Sequence, residues 1–263
     1  MNANRSFQFS HALCRRPSKS IVNGLRATDH GDPDYTTFVQ QHAHYVKALQ
    51  QAGCEVNVLD ANEDHPDSVF IEDAALCLEN MAIVLRPGAE SRFGEAAVLM
   101  PTLHRLFKHV ITLPGHGYVD GGDILVTGTE ILIGLSQRTN RAGYESLRQL
   151  LEPFDYNVRE IQTPDTILHF KSDCGLLNSN TVFSTKALAA TGCFDNYNVI
   201  EAPENESAAA NLIRVNNTVL LSEGYPASFD LLTSVGFQVV TIPNSEAAKV
   251  DGGLSCMSLR YTT

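Results

Sequence analysis

Four short apolar runs in this chain close on a proline: Val110-Ile111-Thr112-Leu113-Pro114, Arg159-Glu160-Ile161-Gln162-Thr163-Pro164, Val199-Ile200-Glu201-Ala202-Pro203 and Val239-Val240-Thr241-Ile242-Pro243. Successive prolines lie 50, 39 and 40 residues apart. Cys54-Glu55-Val56-Asn57-Val58-Leu59-Asp60 holds the equivalent place roughly fifty residues before the first. Self-similarity at that period restricts the fold to repeat or propeller-like architectures, in which each unit buries its apolar face only against its neighbours.

Within each interval the order of elements recurs. An apolar strand comes first (Ala75-Leu76-Cys77-Leu78; Ile124-Leu125-Val126; Cys174-Gly175-Leu176-Leu177; Asn211-Leu212-Ile213-Arg214-Val215). A turn with Asn or Gly-Thr-Glu leads to a second strand (Ala82-Ile83-Val84-Leu85; Ile131-Leu132-Ile133; Thr181-Val182-Phe183; Thr218-Val219-Leu220-Leu221). A helix and the proline-ended strand follow. Arg141 to Phe154 sets Tyr144, Leu147, Leu150 and Leu151 on one helical face, and Phe229 to Val235 is a second helix, stopped by Gly236. The N-terminus supplies a helix without its leading strands: Asp32-Pro33 reads as N-cap and first turn, Phe38, Val39, Tyr45, Val46 and Leu49 form the face, and Gly53 closes it. The segment around Cys256 is the missing partner. The pattern predicts one α/β domain over residues 1–263: a five-bladed, pseudo-symmetric α/β-propeller of strand-strand-helix-strand units, with one unit split across the termini.

Bulk composition narrows the function. Thirty acidic residues against 19 Lys plus Arg give a formal net charge of −11. That balance disfavours nucleic acid and anionic membrane surfaces and tolerates a cationic ligand. No apolar run reaches the length of a membrane span, and Met1 to Phe9 has no signal-peptide core. The six cysteines are scattered without a CxxC pair, which favours reduced thiols and a cytoplasmic protein. No set of zinc ligands at recognisable spacing and no nucleotide-binding glycine motif occurs. Oligomeric state, a homodimer included, is left open.

In a ring of equivalent units, the starts of the first strands converge on the axis. Read in order, they carry Glu72-Asp73, Asp120-Gly121-Gly122-Asp123, His169, and Asp251 to Cys256; the fourth unit offers nothing comparable near Ser207 to Asn211. Cys256 reads as the thiol of a short apolar strand, directly after Gly252-Gly253, where a small molecule could approach the backbone. Each residue also has a bland reading: a buried strand cysteine, a structural histidine in the strand Ile167-Leu168-His169-Phe170, a turn at Asp120-Gly121-Gly122, solvated acids after Phe70-Ile71. Their recurrence at corresponding repeat positions favours a site. A thiol, an imidazole and a carboxylate to fix the tautomer are the parts of an activated nucleophile.

Six segments in this order resemble the dimethylarginine dimethylaminohydrolase family of the guanidino-group-modifying (pentein) superfamily: Asp67 to Asp73, Arg86 to Arg92, Asp120 to Asp123, Ser136 to Asn140, Leu168 to Lys171 and Asp251 to Cys256. The resemblance runs from about Ser10 to Tyr261 and implies hydrolysis of Nω-methylated L-arginine to L-citrulline plus methylamine or dimethylamine, without metal or organic cofactor. It implies Cys256 as nucleophile, His169 as the proton-transfer group and Asp120 as its orienting acid, an aspartate where some members carry glutamate. Glu72 and Asp73 are expected to hold the guanidinium, with Asp67 nearby, and Phe70 and Asp251 to line the pocket. Arg92 and Arg138 are expected on the substrate carboxylate, with the main chains of Leu25 and Val250 completing the pocket and Gly24 to Pro33 covering it. Arginine or agmatine deiminase is the nearest alternative. Those enzymes usually set a second carboxylate two residues after the histidine, where this chain has Lys171. A non-catalytic binder of the same fivefold fold, like the ribosome anti-association factor, is the contrasting class.

Overall fold

The computed structural model describes residues 6–262. Fifteen strands form five three-stranded sheets, and every sheet is built alike: a central strand, one antiparallel neighbour and one parallel neighbour. The central, second strands are Met81–Val84, Ile131–Leu135, Thr181–Ser184, Thr218–Ser222 and His11–Arg15. They are almost wholly buried, which accounts for the apolar runs at their centres. Their antiparallel, first-strand partners are Ala75–Leu78, Ile124–Val126, Cys174–Asn178, Ile213–Val215 and Leu259–Tyr261. The parallel, third strands are His109–Thr112, Val158–Gln162, Asn198–Glu201, Gln238–Ile242 and Glu55–Leu59.

A parallel pair needs a crossover, and each unit supplies a helix between its second and third strands. These are Glu95–Leu106, Arg141–Leu151, Lys186–Ala189, Pro226–Ser234 and, in the split unit, Tyr35–Gln51. The last is capped by Asp34, whose carboxylate accepts the Thr37 N–H at 2.7 Å, rather than by Asp32 as the sequence pattern predicts. Gly53, at φ +100°, ends that helix as expected. Between first and second strands, Asn80 and Asn216 adopt left-handed φ values of 59° and 57°, which asparagine tolerates.

The expected closure is present: His11, Ala12 and Leu13 pair with Tyr261, Arg260 and Leu259, and His11–Arg15 also runs parallel to Glu55–Leu59. Each of the five apolar clusters straddles one boundary between units. Leu76 and Ile83 of one unit pack with Ile124, Ile133 and Leu147 of the next, and Leu13 and Leu259 of the split unit pack with Ala75 and Ala82. The chain is therefore one ring of interdependent units.

Immediately before each first strand the backbone makes a 3-10 turn: Ile71–Ala74, Gly121–Asp123, Phe170–Ser172, Glu204–Ala210 and Ser255–Met257. Four neighbouring pairs of these turns are in direct contact. The fifth contact is a hydrogen bond from the Ser255 N–H to Asn211 Oδ1 at 3.0 Å. This inner ring of turns, not the strands themselves, holds Glu72, Asp73 and Cys256, with Asp120 and His169 directly before two of the turns.

Candidate active site

His169 and Cys256 lie outside the strands in which the sequence pattern sets them. The Phe170 N–H, instead of joining a ladder, donates to Asp123 Oδ1 at 2.8 Å, and His169 O accepts from Ser172 N. The Ser255 N–H is likewise taken by Asn211, and the Cys256 N–H turns back to Gly253 O. Side chains of neighbouring units thus draw both segments out of β geometry. The fourth unit supplies a tie rather than a reactive group: besides the Ser255 N–H, Asn211 binds Lys171 O through Nδ2 at 3.1 Å.

Asp120 is fully buried; its Oδ2 meets His169 Nε2 at 2.9 Å, and its Oδ1 accepts from Gly88 N at 2.6 Å. The ring lies flat against Gly122, where a Cβ would stand 2.9 Å from Cγ of His169 and 3.0 Å from Asp73 Oδ1. Burial opposes charging the imidazole. The carboxylates of Asp73, Asp120 and Asp123 outweigh it and lift the pKa of His169 to about 9. Burial likewise opposes ionising Asp73, but His169, Arg92 and the Gly122 N–H hold its carboxyl down at about 2. Asp123 is pushed up by burial to about 6. Near neutrality the ring is an imidazolium enclosed by acids.

The adjacent acids after Phe70-Ile71 are buried members of a turn, not a solvated strand end. Glu72 Oε1 accepts from Lys171 Nζ at 2.6 Å and Arg260 Nη2 at 3.0 Å, while its Oε2 is buried without a partner among the described residues. Cys256 faces these acids: burial first, then the charges of Glu72 and Asp73, push its thiol up to about 12, with the Gly253 N–H at 3.4 Å opposing. Without a cation beside it the sulfur stays protonated. Asp73 faces both the imidazole and the thiol, so His169 and Cys256 flank one acidic centre.

The outer residues divide into two groups. Asp67 is buried and accepts the Leu25 N–H at 3.0 Å, and Phe70 packs its ring where Gly252 has no side chain. Val250 is buried beside Gly24, and Asp251 Oδ2 accepts from Ala27 N at 2.5 Å, so the Gly24 to Pro33 loop is tied down across the site edge. Arg92, by contrast, is committed inward: Nε and Nη2 grip Glu95, Nη1 reaches Asp73 at 2.5 Å, and Nη2 also donates to Phe70 O. Burial raises the pKa of Asp67, and the half-buried Arg138, after Arg92, opposes that rise through space; its guanidinium has no hydrogen-bonded acceptor among the described residues. Sequence reasoning sets Asp123 at the axis without giving it a role, and misses Glu95, Asn211 and Arg260. Arg260, four residues beyond Cys256 in the same segment, is the one that proximity could have flagged.

Asp73, Asp120 and His169 offer three ligand atoms within 4.8 Å of one another, a spacing that would suit a metal ion. The four carboxylate oxygens of Asp73 and Asp120 and Nε2 of His169 are engaged by Gly88, Gly122, Arg92 and each other. What the arrangement can do unaided is acid–base and nucleophilic chemistry on a cation.

Comparison with known proteins agrees. The profile of the family described as eukaryotic N,N dimethylarginine dimethylhydrolase matches residues 29–192. The N(G),N(G)-dimethylarginine dimethylaminohydrolase of Pseudomonas aeruginosa is 37% identical over 254 residues, 96% of this chain and all of that protein. Its Streptomyces coelicolor namesake is 34% identical over 95% of this chain and 96% of its own length. The Pseudomonas structure of a cysteine-to-serine mutant complexed with citrulline superposes with a TM-score of 0.94 over 97% of this chain and 100% of that chain. The N-terminal domain of ArgZ, a cyanobacterial arginine dihydrolase, shares the fold at a TM-score of 0.84 and 18% identity, covering 95% of this chain and 96% of that one.

Proposed function

We propose that this chain, which belongs to the dimethylarginine dimethylaminohydrolase family, hydrolyses Nω-methylated L-arginine to L-citrulline and methylamine or dimethylamine through a covalent bond to Cys256. The observation that carries this reading is a thiol and a buried imidazolium flanking one acidic centre, with a carboxylate oxygen of Glu72 left unpaired beside them. A planar, permanently charged guanidinium matches that centre, since it needs acidic acceptors in a fixed arrangement.

In this reading Glu72 Oε2 and Asp73 take the guanidinium, and the arriving cation neutralises the two charges that keep the thiol protonated. On binding, the thiol gives up its proton to solvent, and the thiolate attacks the guanidinium carbon to give a tetrahedral adduct. His169 delivers its proton to the departing nitrogen as the C–N bond breaks, leaving a thiouronium on Cys256. The same imidazole then takes a proton from water, which adds to that carbon; the C–S bond breaks and citrulline leaves with the water oxygen. Asp120 holds the ring throughout. Both halves need one group near neutrality to give and accept a proton, which is the office of histidine.

The α-carboxylate falls to Arg138 and to the Nη1 hydrogen that Arg92 has left over, with Asp67, Leu25 and Val250 closing the far end of the pocket. Lys171 occupies Oε1 of Glu72. It stands where a second carboxylate would grip an unsubstituted nitrogen, and so leaves room for methyl groups. The six cysteines are free thiols, as suits a reducing compartment such as the cytoplasm. Among the described residues no helix is long and apolar enough to cross a membrane.

Citrulline formation measured side by side on asymmetric dimethylarginine and arginine tests the substrate. Faster turnover of arginine overturns the methylated reading. The Cys256→Ser variant is expected to bind the substrate and release no amine; turnover at the normal rate removes the covalent mechanism.

A further inference from the structure

Arg260 has no part in the steps above, yet it joins two of the groups that do. It lies in the first strand of the split unit, and its side chain is nearly buried. Nη1 donates to Ser255 O at 3.1 Å, to Ser258 O at 3.1 Å and to Ser258 Oγ at 2.8 Å, so it clasps the backbone on both sides of Cys256. Nη2 donates to Glu72 Oε1 at 3.0 Å. From behind, the Tyr45 hydroxyl donates to Leu254 O at 2.8 Å and lies 2.7 Å from Ser258 Oγ, which fixes the same turn against the helix Tyr35–Gln51. Lys171 shares Oε1 from the opposite side, at 2.6 Å. With both cations on one oxygen, the buried Glu72 carboxylate is held at a single orientation, and its other oxygen has no partner among the described residues.

A guanidinium is a rigid, planar fork of donors, and one edge of this fork is on the nucleophile's turn while the other is on the acid. An ammonium at the same place could satisfy one side only. We propose that Arg260 is a positioning residue that sets the distance between the Cys256 thiol and the free oxygen of Glu72, so that a guanidinium held on that oxygen presents its carbon to sulfur. The proposal rests on the assignment of Cys256 and Glu72 given above. The charged groups around the thiol are Glu72 and Asp73 from Ile71–Ala74, Arg260 from its own segment, and Lys171 and His169 behind those two acids.

Arg260→Gln and Arg260→Lys separate geometry from charge. Three quantities are read on the full chain: kcat and KM with asymmetric dimethylarginine, the fraction of active sites from thiol titration, and the pH at which iodoacetamide alkylates Cys256 without substrate. Cys256→Ser supplies the blank for the other thiols. Per active site, Arg260→Gln is expected to lower kcat/KM about 100-fold, mostly in kcat, because misplacement of about 1 Å costs that much. Its alkylation midpoint rises, since Lys171 alone then offsets the charge of Glu72 beside the thiol. Arg260→Lys keeps the midpoint near that of the parent but loses most of kcat. Unchanged kcat, KM and midpoint in Arg260→Gln overturn the proposal, as does a loss confined to the active fraction. If Arg260→Gln does not fold, full kcat in Arg260→Lys overturns it. Failure of the parent enzyme to process dimethylarginine sinks the substrate reading instead, and the alkylation shift still reports on Arg260.

Discussion

Three carboxylates around one imidazole outweigh its burial and keep His169 protonated above the range of a free imidazole. Its pKa is raised from an unfolded value of 6.5 to about 9. The group therefore contributes stability that is fully present below about 6.5 and is lost as pH rises through about 9. That term is on the order of 3 kcal/mol. Chemical denaturation of the parent is expected to show it as a fall in unfolding free energy across that window; His169→Gln lacks this limb. A parent with a flat profile between those two pH values would contradict the enclosed imidazolium. Asp120→Asn removes the hydrogen bond and one of the charges. The ring pKa, read by NMR, is expected to fall toward its ordinary value, and kcat to drop on the order of 100-fold, the usual worth of a positioned general acid. The identities of these residues are legible in the sequence, because carboxylate, imidazole and thiol recur at one place in the repeat. Their commitments are not. Nothing in the spacing of Arg92 says that Glu95 and Asp73 engage most of its donors, and nothing near Lys171 says that it ends on Glu72.

At the scale of elements, the strands and their order follow from periodicity, whereas the turns that carry the chemistry do not. Apolar runs and the prolines that close them mark the buried strands, and their spacing reports the repeated units. A 3-10 turn of three or four residues has no such signature. Here its geometry comes from bonds across unit boundaries, Asp123 to the Phe170 N–H and Asn211 to the Ser255 N–H. A local pattern cannot register partners 47 and 44 residues away, so Leu168-His169-Phe170 and Leu254-Ser255-Cys256 read as strands. The turn Gly121–Asp123 also needs space. At Gly122 an added methyl would stand 2.9 Å from the His169 ring, and the ring cannot retreat because Asp120 holds its far side at 2.9 Å. Gly122→Ala is expected to cost about 1–3 kcal/mol in stability, the usual price of overpacking. Its kcat is expected to fall at least about 10-fold while KM changes less, because the pushed group moves protons rather than holds substrate. Thermal unfolding and steady-state kinetics on the same preparation check both. A Gly122→Ala enzyme with normal kcat would mean that the ring is free to shift, against the geometry described.

For the whole molecule, the consequence of a closed ring is that the position of the chain ends is incidental. The break falls between the first and second strands of one unit, where Ser10 N donates to Tyr261 O at 3.2 Å and His11 stacks on Tyr261 at 5.3 Å. The other four units make the same connection with a short turn. Glu79 and Asn80 form one such turn, both exposed, and Asn80 there sits at φ 59°. A short linker from the C-terminus to the segment before His11, with new ends at Glu79–Asn80, moves the split to the neighbouring unit and leaves every strand pairing intact. The inner turns all precede first strands, so none of them is cut. Such a permutant is expected to fold to the same secondary structure and to keep kcat within about 10-fold of the parent, because exposed turns are where permutation is tolerated. Deleting Leu259–Tyr261 is the opposite manipulation. It removes the strand that seals the ring, together with the buried contacts of Leu259 with Leu13 and of Tyr261 with Phe107 at 4.7 Å. Loss of one large buried side chain alone costs about 3–5 kcal/mol. Because each apolar cluster is shared by two units, that loss cannot stay local, and a single cooperative unfolding transition is expected to disappear rather than shift. Circular dichroism melts of the two variants side by side decide it: a permutant that fails to fold while the truncated chain melts cooperatively would show that the ends, and not the ring, organise this fold.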